Sequence, residues 1–425
     1  MRDRLRVLYC DHLALMRGKY LRGDKIGDGS TRFCQSNFGV HFDKDLLPAP
    51  GAAMLEGLPD MELCWREADI RDSWEPDTKI VVGDLYDASG AALGVCARQA
   101  LKRAIADWEA LGYRPQVGIE LEAFAFEIKP DAPPTPYHTP GGFVYGTGPF
   151  ADPLGVNDAI WEAADALDMP LELITSEYDV PQFEYTLTYD DALQAVDDIA
   201  LFKLMAREVA FEQGVLLSFL PKPIADVGGS GMHINFSLQA DAGDGIGTGG
   251  IDGLTDLGRR CVAGLVHHHA GLAGLLAPIA NSYARLQPGT LSGYWRNWGG
   301  DHRNVTTRVS SEGGKRARLE HRMADAAANP YTAVAAVLQA ARLGVENDYA
   351  LPAPETGDGF EATDATEGIA ENLAGAIAAL DADAPLKAAV GPLLVDNHVF
   401  MKQAEVEKTA ALSEQALLDF YLYYV

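Results

Sequence analysis

The chain is short of positive charge. Its 425 residues carry 34 Lys+Arg against 61 Asp+Glu, for a formal net charge of −27, and only 12 of the cations are lysines. So acidic a surface repels phosphate backbones and excludes non-specific nucleic-acid binding. Low lysine with abundant acid fits a high-salt cytoplasm, although an acidic mesophile would look the same. Cysteine is scarce and scattered. Cys10, Cys34, Cys64, Cys96 and Cys261 contain no CxxC pair, so neither a zinc knuckle nor a disulfide framework is implied. No apolar run reaches about 18 residues, which argues against a membrane-spanning helix. Met1 to Cys10 lacks the apolar centre of a signal peptide. A reducing, cytoplasmic setting is the expectation. No GxxxxGK[ST] loop occurs, and neither a P-loop nor a Rossmann site is supported. No repeat period is visible.

What is present suffices for a sizeable core: 48% of residues are hydrophobic and the length suggests two or three domains. Residues 1–95 read as a small β-rich unit, with strands at 4–8 and 79–83 and turn chemistry at 84–90. Leu93, Val95, Ala100, Leu101, Ile105 and Trp108 recur at helical spacing, predicting a helix over 91–112. The segment 113–127 alternates with period two and predicts a strand, followed by a proline-rich loop at 130–136. Helices are expected at 156–167, 190–213, 253–277, 329–346, 366–382 and 402–423. Strands are expected near 171–175, 182–188, 215–219, 231–238 and 305–309, with a surface loop at 240–253. Runs of strands followed by helices suggest an α+β fold.

Carboxylates on strand-like segments are the most informative feature. Glu120 and Glu122 are two apart in Gly118-Ile-Glu-Leu-Glu-Ala-Phe and share one strand face. Two acids on one face repel unless a cation neutralises them or water solvates them; Phe124 and Phe126 on the same side suggest partial burial. Glu177 and Glu184 flank Pro181, the first ending a loop and the second inside a strand. Glu320 alternates with Arg318 and Arg322, as a site holding both a cation and phosphate requires, or as a row of salt bridges. His233 follows closely spaced glycines in Gly228-Gly-Ser-Gly-Met-His, where backbone could approach a ligand. Oxygen-rich acids with one imidazole suit Mg²⁺ or Mn²⁺ rather than zinc. The run His267-His-His269 lies on a predicted helix, where successive residues point about 100° apart, so it reads as structural.

Arg285, Arg303, Arg308, Lys315, Arg316, Arg318 and Arg322 form a local basic block in this acidic chain. Arginine forks suit carboxylate and phosphate oxygens, or alternatively pair internally with the surplus acids.

In combination these segments resemble the glutamine synthetase family. Gly118 to Phe124 is similar to its paired-glutamate strand, and Glu177 to Glu184 to its second glutamate pair. Gly229-Ser-Gly-Met-His233 is similar to its glycine–histidine motif, preceded by Pro221-Lys-Pro223. Asn281-Ser-Tyr-Ala-Arg285-Leu-Gln-Pro-Gly resembles its glutamate-contacting loop. Arg318-Leu-Glu-His-Arg322, with Asp325 and Ala328-Asn-Pro-Tyr331, resembles its last active-site strand and following helix. The motifs run in the family's order across residues 115–345.

The resemblance implies a small N-terminal β-grasp-like domain at 1–95. A larger catalytic domain at 96–425 would carry an antiparallel sheet flanked by helices. It implies ATP and two or three Mg²⁺ or Mn²⁺ ions. By position, Glu122, Glu177 and Glu184 would hold the first metal, and Glu120, His233 and Glu320 the second. Arg285 and Arg322, with backbone at Gly229, would clamp substrate carboxylates. Arg303 and Arg308 would stabilise the transferring phosphoryl group, and Ser237, Lys315 and Arg318 would touch nucleotide. A large ring homo-oligomer of stacked pentamers or hexamers is implied, with a neighbour's N-terminal domain completing each site.

Departures from the family pattern bear on the substrate. Where the family carries a flap glutamate that helps bind and deprotonate ammonium, this chain has Leu291. The asparagine expected before the glycine–histidine motif is Gly228, and a second histidine is replaced by Asn235. The aromatic-rich segment Tyr294-Trp-Arg-Asn-Trp298 follows the flap. Asp11 and Arg17-Gly-Lys19 resemble a signature of the γ-glutamyl-amine ligase branches, and Asp28 superficially resembles the ammonium-binding aspartate. The expected activity is therefore ATP-dependent joining of a glutamate-like acid to an amine larger than ammonia. An ordinary glutamine synthetase, or a non-catalytic sensor or scaffold, are the alternatives.

Overall fold

The computed structural model describes residues 3–240, 245–247, 249–360 and 362–425. Seven strands come first among them: β1 (Arg4–Cys10), β2 (Met16–Arg22), β3 (Gly29–Cys34), β4 (Asp60–Trp65), β5 (Arg71–Asp72), β6 (Thr78–Val82) and β7 (Asp84–Tyr86). They form a sheet of order β2-β1-β6-β5, with β1 and β6 parallel, and a second sheet β3-β4-β7. Period-two alternation in β1 gives both its faces work. Leu5, Val7 and Tyr9 pack with Phe38, Met61 and Leu63, while Leu8 and Cys10 turn into the main core. Strand β1 is thus buried on both faces and fixed against the rest of the chain, while β2 at the sheet's edge is largely exposed.

The main body follows. It contains α1 (Ala97–Ala110), β8 (Tyr113–Lys129), β9 (Ala132–Pro136), α2 (Val156–Ala166), β10 (Leu171–Ser176), β11 (Gln182–Asp191), α3 (Ala192–Glu212), β12 (Val215–Ser218) and β13 (Met232–Ala240). Next come α4 (Asp256–His267), α5 (His269–Leu276), α6 (Ser282–Arg285), β14 (Trp298–Gly300), β15 (Thr307–Val309) and β16 (Leu319–His321). Five helices close the chain: α7 (Pro330–Glu346), α8 (Leu373–Ala382), α9 (Ala384–Val390), α10 (Pro392–Thr409) and α11 (Glu414–Tyr421). The large sheet has the order β10-β11-β8-β13-β16-β15-β14, with β9 and β12 also paired to β8. Its pairings are antiparallel except β14–β15. The fold is α+β.

The central strand β8 sets the site's orientation. Val117, Ile119, Leu121 and Ala123 are buried on one face, where α1 and α3 pack. Gln116, Gly118, Glu120 and Glu122 occupy the other face and are half-buried. From Ala123 to Phe126 both faces are buried, and β12 pairs alongside β8 over that stretch.

Several expectations are corrected. Residues 84–86 are a strand, and the turn is confined to Asp87–Gly90, where Asp87 Oδ1 accepts from the amides of Ser89 (2.8 Å) and Ala91 (3.0 Å). The proline-rich 132–136 is an edge strand on β8, a place where missing amide donors are tolerated. The helix expected over 253–277 breaks at His268, whose Nδ1 meets Asp383 at 2.8 Å. His267 stacks on Tyr349 at 3.8 Å and His269 Nε2 meets the Tyr294 carbonyl at 3.1 Å, so the triplet is structural, as its spacing indicated. The helix expected at 366–382 starts only at Leu373, after an Asn372 cap. The one expected at 402–423 is two helices, the first launched by Pro392. Of the expected loop at 240–253, positions 241–244 and 248 lie outside the described residues.

Candidate active site

Strand register brings the acids together. Glu122 on β8 sits opposite Glu184 on β11, and Glu120 opposite His233 on β13. One strand further, Asn235 is opposite Glu320 on β16, which in turn faces Arg308 on β15. A band of charged side chains therefore crosses the sheet on the face away from α1 and α3. His233 Nδ1 lies 3.3 Å from Glu120 and 3.9 Å from Glu320, and its Nε2 lies 3.9 Å from Glu122. Glu120, Glu184 and His233 each offer a ligand atom, all within 4.8 Å of one another. That trio straddles the two ligand sets inferred from sequence rather than reproducing either.

The electrostatics fit a cation. Burial, then Glu120, Glu122 and Glu177, push Glu184 up to about 8. Burial and Glu122 also raise Glu177. Burial opposes ionisation of Glu120 too, but the His233 hydrogen bond and imidazole, with Arg322 and Asn235, outweigh it and hold Glu120 at about 2. Glu177 and Glu184 are thus under-neutralised by the protein itself. Carboxylate oxygens with a single imidazole nitrogen are a donor set for a hard divalent ion.

Glycines shape the cradle below. A Cβ on Gly229 would lie 2.4 Å from the Pro221 carbonyl, and one on Gly231 would lie 2.7 Å from Arg285 Nη2 and 2.9 Å from His233 Nε2. The Gly231 amide donates to Glu122 Oε2 at 2.6 Å. Arg285 is buried and donates to the carbonyls of Met323 (3.0 Å) and Arg322 (3.2 Å). Burial lowers its basicity, countered by Glu122 and Asp325. Arg322, also buried, bonds Glu320, while its Nε has no partner among the described residues. An unpartnered guanidinium donor beside a carboxylate band suits a substrate carboxylate.

Arg308 bridges Glu320 (2.8 Å) and Asp301. Arg303 is exposed, without a hydrogen bond or ion pair among the described residues, although its charge acts on Glu177. Ser237, Lys315 and Arg318 meet around a cleft of about 330 Å³, together with Gln116, Gly118 and Tyr189. A larger cleft of about 700 Å³ lies between β2, α3 and the chain end around Lys203. None of the band carboxylates lines it, so size does not mark the chemical site.

Some neighbours carry no sequence signal. Gln182 Nε2 donates to the Gly229 carbonyl (3.0 Å) and to Glu122 (3.3 Å), and Asp179 accepts from the Gly228 amide. Glu312 holds Arg318 at 2.6 Å. Only the sheet register and loop closure reveal these contacts. Of the other singled-out positions, Asp11 is buried, accepts from the Leu13 and Leu15 amides at 2.9 Å each, and pairs with Arg17 at 2.6 Å. It ties a turn together. Asp28 accepts from the Glu67 amide at 2.7 Å. Trp298 is a core residue bonded to the Pro352 carbonyl, while Tyr294 and Trp295 are half-buried against each other. Leu291 is 43% exposed.

Comparison with known proteins places this arrangement. Residues 94–421 match the glutamine synthetase catalytic domain. A glutamine synthetase of Clostridium saccharobutylicum is 31% identical over 344 residues, covering 78% of this chain and 77% of that one. One of Halobacterium salinarum is 28% identical over 443 residues, covering 99% and 93%. Among solved structures, a GmaS/ADP complex superposes with a TM-score of 0.83 at 27% identity, over 97% of this chain and 95% of that chain. A glutamine synthase homolog at 23% identity shares the fold, with a TM-score of 0.84 over 99% and 98% of the two chains.

Proposed function

The chain belongs to the glutamine synthetase family and is an ATP-dependent ligase that forms carbon–nitrogen bonds, and from that premise we propose that it joins the γ-carboxyl of glutamate, or a close analogue, to an amine larger than ammonia. The observation that carries the choice of amine is Leu291. It stands 43% exposed at the flap position, where an ammonium-binding acid is expected, and its side chain can neither attract NH₄⁺ nor take a proton. Similarity to the GmaS structures supports the reading. The aromatic segment after the flap supports it less than its composition suggests, since Trp298 is in the core.

The chemistry follows from the parts. A carboxylate is a poor acyl donor because its oxygen leaves reluctantly. Transfer of the γ-phosphoryl group of ATP onto that oxygen makes phosphate the leaving group; the amine then attacks the carbonyl, and phosphate departs with the carboxylate oxygen. Glu120, Glu122, Glu177, Glu184, His233 and Glu320 would hold divalent ions, which supply charge neutralisation for the phosphoryl group. Arg285 and Arg322 orient the acid beside the Gly229 backbone. Arg303 and Arg308 offer charge to the transferring group, and Ser237, Lys315 and Arg318 receive the nucleotide in the 330 Å³ cleft.

The chain divides near residue 95, as the separate pairing of β1–β7 and β8–β16 supports. It assembles into a large ring of stacked pentamers or hexamers, and the exposed Phe143, Tyr145, Phe150 and Tyr178 near Glu177 supply apolar surface for a neighbour to cover. Purified protein with ATP, Mg²⁺ and glutamate, screened for ADP release against ammonium and a series of primary amines and diamines, tests the activity. Turnover confined to ammonium would defeat the proposal in favour of a glutamine synthetase with a diverged flap.

A further inference from the structure

The cleft of about 700 Å³ between β2, α3 and the chain end lies apart from the carboxylate band and has the size of a small-molecule site. Leu15, Met16, Leu204 and Phe211 give it apolar walls. Lys203 and Arg207, one turn apart on α3, bring two cations to it.

Neither cation has a counter-ion. Lys203 Nζ donates to the Ala326 carbonyl at 2.6 Å and lies 4.9 Å from the centre of the Phe219 ring. Arg207 donates to the carbonyls of Tyr424 (2.6 Å) and Tyr423 (2.9 Å). Among the described residues neither forms an ion pair. Two acids of the lining are engaged elsewhere, Glu75 with Arg4, Arg6 and Tyr20, and Glu208 with Arg6 and Trp74. The third, Glu212, is exposed. The chain has 61 acids for 34 basic residues, so two neighbouring half-buried cations held only by carbonyls are an anomaly that a bound anion would resolve. The electrostatics agree. Burial, then Arg207, push the Lys203 ammonium down to about 7 against Cys10 and Asp325, and burial lowers Arg207 to about 10 against Glu208.

Lys203 also reaches toward the glycine loop. The amide of the same Ala326 donates to the Ser230 carbonyl at 3.3 Å, and Asp325 bridges to Gly231. A change at Lys203 Nζ is therefore two hydrogen bonds from the backbone that cradles Arg285 and His233.

We propose that this cleft is a second ligand site, taking a small anion with an apolar body, and that its occupancy is felt at the glycine loop through Ala326. The carboxylate or phosphate head lies on Lys203 and Arg207, and the body lies against Leu15, Leu204 and Phe211. Nothing in this inference depends on which amine the ligase uses.

The test uses the full-length protein without nucleotide, metal or amine. Octanoate and octyl phosphate serve as the carboxylate and phosphate probes, and octanol as the neutral control, each followed by calorimetry. Hydrogen exchange at residues 228–232 reads the glycine loop. Lys203→Gln keeps an N–H donor but loses the charge, and Phe211→Ser alters only an exposed wall. At least one anion is expected to bind with one molecule per chain, the tighter one identifying the head group, while octanol does not saturate. Lys203→Gln is expected to weaken that anion about tenfold, and Phe211→Ser to weaken it severalfold. The anion is expected to slow exchange at 228–232 in the unaltered protein and not in Lys203→Gln. The inference is overturned if neither anion saturates, if octanol binds as well, if either variant binds like the unaltered protein, or if a saturating anion leaves the loop's exchange unmoved. Each of these failures leaves the ligase reading standing, because none involves its substrates.

Discussion

Glu184 shows how single residues respond to the company they keep. Burial and three neighbouring acids raise it from 4.5 to about 8, so at neutral pH it holds a proton that an ordinary glutamate has lost. Because the folded-state value lies above the unfolded one, the folded chain binds the extra proton between about pH 4.5 and 8. Metal-free stability from this group is therefore present below pH 4.5 and is lost as pH rises through 8. A divalent cation must displace the proton, so adding Mn²⁺ in weak buffer at pH 7 is expected to release protons measurable with an indicator dye. Glu184→Gln is expected to release fewer; equal release from both proteins would refute the assignment. Leu291 offers the complementary test. Leu291→Glu restores a group able to attract ammonium, and its kcat/KM for ammonium is expected to rise on the order of tenfold. The trio Glu120, Glu184 and His233 was legible in the sequence because acids on strands and a histidine after glycines are chemically conspicuous. Gln182, Asp179 and Glu312 were not, because an amide or a surface acid takes its role from a register that only the folded sheet creates.

At the scale of elements, the site depends on how β8, β11, β13 and β16 align and on the glycine loop before β13. Alternation in β8 was readable, since one face is apolar and the other carries the acids. Element ends were less so. The break at His268, the start at Pro392 and the edge strand at 132–136 answer to tertiary partners such as Asp383 and β8. The loop yields a sharp prediction. Gly229→Ala would press a methyl against the Pro221 carbonyl, backbone that cannot rotate away. It is expected to cost about 1–3 kcal/mol of stability in a denaturant melt and to remove most turnover. A variant with unaltered midpoint and rate would show that the loop is looser than its packing implies.

Across the whole molecule, the net charge of −27 and the site tell different stories. The excess acid argues against nucleic acid, yet the segment from Arg285 to Arg322 reverses the sign locally, as the proposed phosphate site requires. The remaining acids repel one another over the surface. Raising KCl from about 0.1 to 1 M shortens the Debye length from about 10 to 3 Å and is expected to raise Tm; a flat response would mean the surface is already internally paired. No helix among the described residues is long and apolar enough to cross a membrane. Light scattering is expected to give a mass many-fold above the 45.7 kDa chain, and a monomer would remove the ring assembly from the account. A direct competition decides which amine the enzyme uses. With ATP, Mg²⁺ and glutamate, equal concentrations of ammonium and a mixture of primary amines are supplied together, and the amide products are weighed by mass spectrometry. The substituted γ-glutamyl amide is expected to dominate; glutamine as the sole product would make ammonium the acceptor and defeat the proposed function.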